Sequence, residues 1–255
     1  MSVDLEFRDS AAILTLNRPD ALNALSFLIL GEISSTFDRV ASSKARVLFI
    51  RGAGDKAFCA GADIKELRHR GLVAQKQGAE LGQSVFAKLP SLPMPSVALI
   101  NGYAFGGGLE LALACTFRLA VVNAKMGLPE IKLGLIPGYG GTQRLPRIIG
   151  EARALEMIMT GRTVDAAEAL QIGLVNQLFD GDPIEAGLSF AARFTAHSLP
   201  ALSFVKEAVT RAGDTSLNEG LKIEADLSTL AFQTADAEEG MAAFEEKRKP
   251  EFRDA

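Results

Sequence analysis

Two glutamates and two glycine-rich stretches are the residues here whose surroundings suit chemistry. Glu110 follows Asn101-Gly-Tyr-Ala-Phe-Gly-Gly-Gly108 and is flanked by Leu109 and Leu111. Three consecutive glycines ahead of a helix let the backbone bend closely and turn N–H groups outward, at a terminus that carries partial positive charge. Such a turn can seat an oxyanion or a phosphate; the plainer reading is a tight strand-to-helix turn. On the following helix Glu110 neighbours Gly106, Gly107, Leu113 and Ala114, with no cation within one turn. Burial raises the pKa of such a carboxyl while the helix terminus lowers it. That balance suits general acid–base work, against the alternative of a solvated first-turn acid. Glu130 lies in Met126-Gly-Leu-Pro-Glu-Ile131, where Pro129 fixes the backbone and Gly127 permits close approach. Lys125 and Lys132 make a surface ion pair an equal alternative. Facing one pocket, the two acids would be the two proton handlers that adding or removing water needs.

Other patterns carry less. Gly52-x-Gly54-x-x-Ala57 follows a strand-like run, but a dinucleotide fingerprint needs a helix opening on the third small residue. Here Phe58-Cys-Ala-Gly61 continues as loop. The phosphate-loop, Gly-x-Ser-x-Gly and His-Glu-x-x-His patterns are absent from the sequence. With 2 histidines and 2 cysteines, hydrolytic triads and zinc sites have few candidates. Cys59 and Cys115 read as small buried apolar side chains, because no histidine is patterned to activate either. His69 reads as a solvated helix residue. Arg68-His-Arg70 and Lys247-Arg-Lys249 read as solvated faces, with the phosphates of an anionic cofactor as the alternative.

The elements that must position these residues alternate. Val3–Phe7 and Ala12–Leu16 predict a hairpin, and Leu22, Leu25, Ile29, Ile33, Phe37 and Val40 recur at helical spacing. Val47–Ile50 and Val97–Ile100 are apolar runs expected of strands buried on both faces. Between them lie an irregular loop, 52–63, and a polar helical stretch to about Lys88, stopped by Pro90, Pro93 and Pro95. Leu109–Cys115 predicts a short apolar helix and Phe117–Val122 a returning strand. A second glycine-rich turn, Gly134–Gly141, opens a helix near Thr142. This alternation predicts an α/β fold with a parallel sheet and crossover helices. Thr163–Glu168 looks like a capped helix start, and Leu174–Phe179 like a strand. Past Pro183 only helices are expected, giving a core over 1–195 and a helical region over 196–255.

The chain's 255 residues are 48% hydrophobic and 23% charged, with a net charge of −4. This mixture excludes disorder, collagen and a disulfide-stapled miniprotein. It gives no support for nucleic-acid binding, whose footprint is a basic surface. No run of 18 apolar residues exists, and the first residues lack the cationic and apolar regions of a signal peptide, so a cytoplasmic protein without a membrane partner is expected.

Five segments together resemble the enoyl-CoA hydratase/isomerase (crotonase) family: Leu16-Asn-Arg-Pro-Asp-Ala-Leu-Asn-Ala-Leu25, Ala57-Phe-Cys-Ala-Gly-Ala-Asp-Ile-Lys65, Asn101–Glu110, Pro129–Pro146 and Glu239–Pro250. The resemblance spans nearly the whole chain. It implies a spiral of ββα turns with a C-terminal helical trimerisation region, assembled as a homotrimer or a dimer of trimers. It implies an oxyanion hole from the N–H groups of Ala62 and Gly107, holding the thioester carbonyl of an acyl-CoA. Ala60, Ala62, Asp63, Ile64, Lys65 and Gly107 would line the CoA path, with Ala60 near the adenine. Both family glutamate positions are filled, by Glu110 and Glu130, which favours hydration of a 2-enoyl-CoA over double-bond migration; isomerase relatives commonly keep only the second. The aspartate that dienoyl isomerases carry in the Gly138-Tyr-Gly-Gly141 loop is missing. Glu110 would deprotonate the attacking water and Glu130 deliver a proton to the α-carbon, with no metal or redox cofactor. An isomerase and a non-catalytic acyl-CoA-binding protein are the alternatives. Two departures stand out: Thr116 replaces a common aspartate at a position read as structural, and Asp20 replaces a lysine that some hydratases place near the CoA phosphates.

Overall fold

A computed structural model describes residues 2–255. Its strands, in chain order, are β1 (Val3–Arg8), β2 (Ala11–Leu16), β3 (Val47–Gly52), β4 (Ala57–Cys59), β5 (Ser96–Ile100), β6 (Tyr103–Phe105), β7 (Phe117–Val121), β8 (Lys125–Gly127), β9 (Val164–Asp165) and β10 (Gln177–Phe179). The helices of the core are α1 (Phe27–Ala41), α2 (Ile64–Leu67), α3 (Leu72–Ser91), α4 (Gly107–Ala114), α5 (Gly141–Ile149), α6 (Glu151–Thr160), α7 (Ala166–Gln171) and α8 (Pro183–Ala191). After them come α9 (Leu199–Ala212), α10 (Leu217–Phe232) and α11 (Ala235–Glu246).

The strands divide into a large sheet, ordered β1-β2-β3-β5-β7-β10, and a small one, ordered β4-β6-β8-β9. β1 and β2 form the expected hairpin, with Val3 opposite Leu16 and Arg8 opposite Ala11. From β2 to β10 the large sheet is parallel. A unit of long strand, short strand and helix repeats: β3-β4-α2, β5-β6-α4 and β7-β8 leading to α5. Each long strand joins the large sheet and each short one the small sheet, so the chain advances as a spiral of α/β turns.

Strand periodicity explains the two-sided burial. On β2 and β3, Ala12, Leu14, Leu16, Leu48 and Ile50 face a core shared with α1, α3 and α4, around Phe37, Phe58 and Phe86. Their alternates Ala11, Ile13, Val47 and Phe49 face a second core closed by α8 through Ile184 and Phe190. Most helices open on a side-chain cap: Ser26 for α1, Asp165 for α7 and Asp182 for α8. Helix α4 has none; it opens on Gly106 at φ +50°.

Several expected elements differ in extent. Helix α1 starts at Phe27, because Leu22 and Asn23 take positive φ and Leu25 instead bridges to Ala62. Helix α3 runs to Ser91, with Pro90 inside its last turn. The loop 52–63 and the turn 101–108 contain the strands β4 and β6, three residues each and too short to show a period. Helix α7 opens inside the expected capped start 163–168, with Asp165 as its cap. Leu174 and Val175 bond back to the Ala169 carbonyl, which leaves the strand Gln177–Phe179. His69 lies in a turn at φ +62° after α2, not in a helix.

Candidate active site

The site forms where the spiral brings β4, the N-terminus of α4 and the loop before α5 together. Close backbone approach is its first requirement. A Cβ on Gly108 would stand 2.1 Å from the Cys59 carbonyl oxygen, so the first turn of α4 reaches β4 only because that side chain is missing. At Gly61, φ is +111°, and a Cβ there would lie 3.7 Å from the Gly107 nitrogen and 3.2 Å from the Phe105 carbonyl oxygen. The 60–62 segment and the start of α4 are therefore in contact.

Each of the two segments in contact carries one N–H group left without a partner among the described residues. The Leu25 N–H donates to the Gly61 carbonyl (2.8 Å) and the Asp63 N–H to the Leu25 carbonyl (2.8 Å), so the intervening Ala62 N–H faces away from Leu25. Gly107, the first residue of α4, cannot donate within its own helix. Among the described residues neither N–H meets an acceptor. Free N–H groups at a helix N-terminus suit an oxygen that gains negative charge.

Both glutamates lie close to the start of α4. Glu110 is 2% exposed, and its Oε1 accepts from the N–H groups of Tyr139 (2.8 Å) and Gly141 (2.7 Å). Burial holds its carboxyl above the ordinary range; the two N–H groups and the charge of Arg144 on α5 act against that. The sequence-based reading found no cation within one turn, and the cation comes from another helix. Glu130 is the second residue of a short 3-10 turn, Pro129–Leu133, and its Oε1 lies 3.0 Å from where a Gly106 Cβ would be. Its Oε2 is buried and has no hydrogen-bond partner. Burial, reinforced by the charge of Glu110, pushes its pKa up to about 7. Among the described residues neither Lys125 nor Lys132 pairs with it. The surface ion pair weighed as the alternative does not form.

The other expected residues follow outward along one segment. The Ala60 N–H bonds to the Leu22 carbonyl (2.9 Å). Asp63 caps α2 by accepting from Lys65 N–H (3.1 Å) and pairs with Arg18 at 2.9 Å; that guanidinium holds its carboxyl below the usual range. Ile64 and Lys65 are exposed. Cys59 and Cys115 are buried free thiols, pushed up to about 12 by burial, and not poised as nucleophiles. Thr116 exchanges hydrogen bonds with Ser96, joining β5 to β7 in the structural role read for it. Sequence reasoning missed Tyr139, Gly141, Arg144 and Arg18. The second glycine-rich turn was the available signal for the first three, since it supplies the Tyr139 and Gly141 N–H groups that hold Glu110 and opens the helix that carries Arg144.

Residues 6–255 match the family model described as enoyl-CoA hydratase/isomerase. The chain belongs to the enoyl-CoA hydratase/isomerase family. It is 40% identical over 253 residues to a crotonyl-CoA hydratase of Syntrophomonas wolfei, covering 98% of this chain and 97% of that protein. It is 37% identical over 252 residues to a short-chain-enoyl-CoA hydratase of Clostridium acetobutylicum, at 98% and 97% coverage. The crystal structure of an enoyl-CoA hydratase from Bacillus anthracis superposes with a TM-score of 0.95 at 36% identity, over 100% of both chains. The spiral of α/β turns followed by α9–α11 is thus the crotonase-type fold of this family.

Proposed function

We propose that the protein is an enoyl-CoA hydratase, adding water reversibly to a 2-trans-enoyl-CoA to give a 3-hydroxyacyl-CoA. The relatives named above as hydratases support the activity. The observation that carries the mechanism is the inequality of the two carboxyls: Glu110 accepts two backbone N–H groups on one oxygen, whereas Glu130 keeps a buried oxygen without a donor and titrates near 7. Burial raises both carboxyls, but only Glu110 has backbone donors that stabilise its carboxylate; the role of base therefore goes to Glu110 and that of acid to Glu130.

The thioester oxygen accepts from Ala62 and Gly107 N–H, which makes the β-carbon electrophilic. Glu110 takes a proton from water as its oxygen bonds to the β-carbon, and the double-bond electrons move onto the thioester as an enolate. The enolate collapses as the Glu130 proton passes to the α-carbon. The pair begins and ends with one proton between its members, now on Glu110, and returns by exchange with solvent. These steps call on no metal or redox cofactor. Ala60, Asp63, Ile64 and Lys65 line the CoA arm beyond Ala62, with Arg18 steadying Asp63. The region 196–255 acts in assembly, as a homotrimer or dimer of trimers. The cytoplasm is the compartment that goes with this reading, in keeping with two unpaired cysteines.

An ultraviolet assay over a panel of enoyl-CoA thioesters tests the activity. Loss of the conjugated absorbance in the wild type and its reduction by about 100- to 10,000-fold in Glu110→Ala are expected. Unchanged turnover in Glu110→Ala would refute the assignment of the base, and no turnover of any thioester would refute the hydratase.

A further inference from the structure

Tyr139 is tied to the site by its backbone and stands in it by its ring. Its N–H donates to Glu110 and its carbonyl accepts from Arg144 Nη1 at 2.9 Å, so the main chain is held from both sides. The side chain is 7% exposed. One edge of the ring lies on α3: a Cβ on Gly82 would fall 2.2 Å from Cδ1, and the ring meets Phe86 edge-on with centroids 5.8 Å apart. The opposite edge lies on the first residue of α4: a Cβ on Gly107 would fall 3.2 Å from Cδ2 and 3.3 Å from Cε2, beside Leu25 at 3.4 Å. Gly82 is the counterpart of the ring, since any side chain there would occupy its place. The hydroxyl makes no hydrogen bond to the described residues, so apolar volume is what the side chain brings to this position.

On the hydratase reading the acyl carbonyl sits at Gly107 and the β-carbon at Glu110, and Tyr139 touches both residues, its ring on Gly107 and its N–H on Glu110. The ring fills the space between that point and α3, against Gly82 and Phe86. We propose that the Tyr139 ring closes the acyl end of the pocket and restricts the enzyme to short acyl chains. This builds on the hydratase reading above and names its substrate class.

The test compares wild type with Tyr139→Phe, Tyr139→Leu and Tyr139→Ala, using trans-but-2-enoyl-CoA and trans-oct-2-enoyl-CoA. Wild type and Tyr139→Phe favour the four-carbon substrate in kcat/KM. The eight-to-four-carbon ratio rises through Tyr139→Leu to a gain of about 10-fold or more in Tyr139→Ala, the scale on which apolar pockets discriminate methylene groups. A calorimetric Kd comparison of butanoyl-CoA and octanoyl-CoA follows the same order without needing turnover. If Tyr139→Ala does not fold, Tyr139→Leu carries the comparison. A ratio unchanged across the series, or a wild type that takes both chains equally, overturns the proposal. A wild type that hydrates neither substrate refutes the hydratase reading instead, and the Kd series then still decides whether the ring closes the pocket.

Discussion

A carboxyl that titrates near neutrality links the chemistry of this site to its stability. Glu130, at about 7, is influenced by Glu110, so the pair loses its protons in steps that belong to both residues. The proposed mechanism needs one proton on the pair, so kcat/KM for hydration should fall as pH rises through about 7. Water addition releases no proton, so dehydration must show the same alkaline limb. Initial rates in both directions from pH 5 to 9 check this; limbs at different pH in the two directions would exclude the shared-proton pair. Glu130→Gln should lower turnover about 100-fold or more and remove the limb from the residual rate. The same substitution acts on folding. The folded protein holds the Glu130 proton more tightly than the unfolded chain, whose carboxyl titrates near 4.5. Its contribution is intact below that pH and is lost as pH rises through about 7. Glu130→Gln should therefore gain about 1–3 kcal/mol over wild type above pH 7, after allowance for solvent screening, and little at pH 4.5. That corresponds to roughly 2–10 °C in Tm for a chain of this size. Melting curves of both proteins from pH 4.5 to 8.5 should diverge, and parallel curves would show that Glu130 is not penalised when ionised.

The N-terminus of α4 holds the site's geometry, and it depends on missing side chains. In Gly108→Ala the new methyl would meet the Cys59 carbonyl at 2.1 Å. Backbone on both sides must part, and with it the spacing of the Ala62 and Gly107 N–H groups. A loss of about 3 kcal/mol or more, near the top of the overpacking range, is expected, read as a fall in Tm with a fall in kcat for whatever folds. Gly71→Ala, which meets nothing within 4 Å, is the control and should leave both near wild type. Elements also mark how far the sequence alone reaches. Glu110 stands out because an acid among Leu109, Leu111 and Leu113 is anomalous locally, and the long strands stand out because burial on both faces leaves continuous apolar runs. Strands β4, β6 and β8 do not, since three residues hold no period and their pairing lies far off in the chain. The partners of Glu110 are 29 and 31 residues away, and Gly82 sits in a helix whose sequence gives no sign that a ring will occupy its face. Contacts of that separation are set by topology rather than by local pattern.

The last three helices pose a problem of the whole molecule. Val205 and Val209 on α9, Leu217, Leu221, Leu230 and Phe232 on α10, and Phe244 on α11 are all more than half exposed, although three consecutive helices rarely leave that much apolar surface to water without a partner. The region is nonetheless pinned to the core. The Asp236 carboxylate accepts from the N–H groups of Arg253 (2.7 Å) and Asp254 (3.1 Å), and Asp254 pairs with Arg46 and accepts from Leu199 N–H (2.8 Å). The tail thus holds exposed apolar residues on helices fixed to the core, which suits the proposed self-association. Sedimentation should give three or six times the 27.1 kDa of one chain. The double substitution Leu221→Glu with Phe232→Glu places charge in that face and should shift the species toward one chain, while circular dichroism keeps its helical signal because the Asp236 and Arg46 contacts are untouched. A wild type that sediments as a single chain at micromolar concentration would refute assembly through these helices. A variant that stays associated would place the interface on another surface.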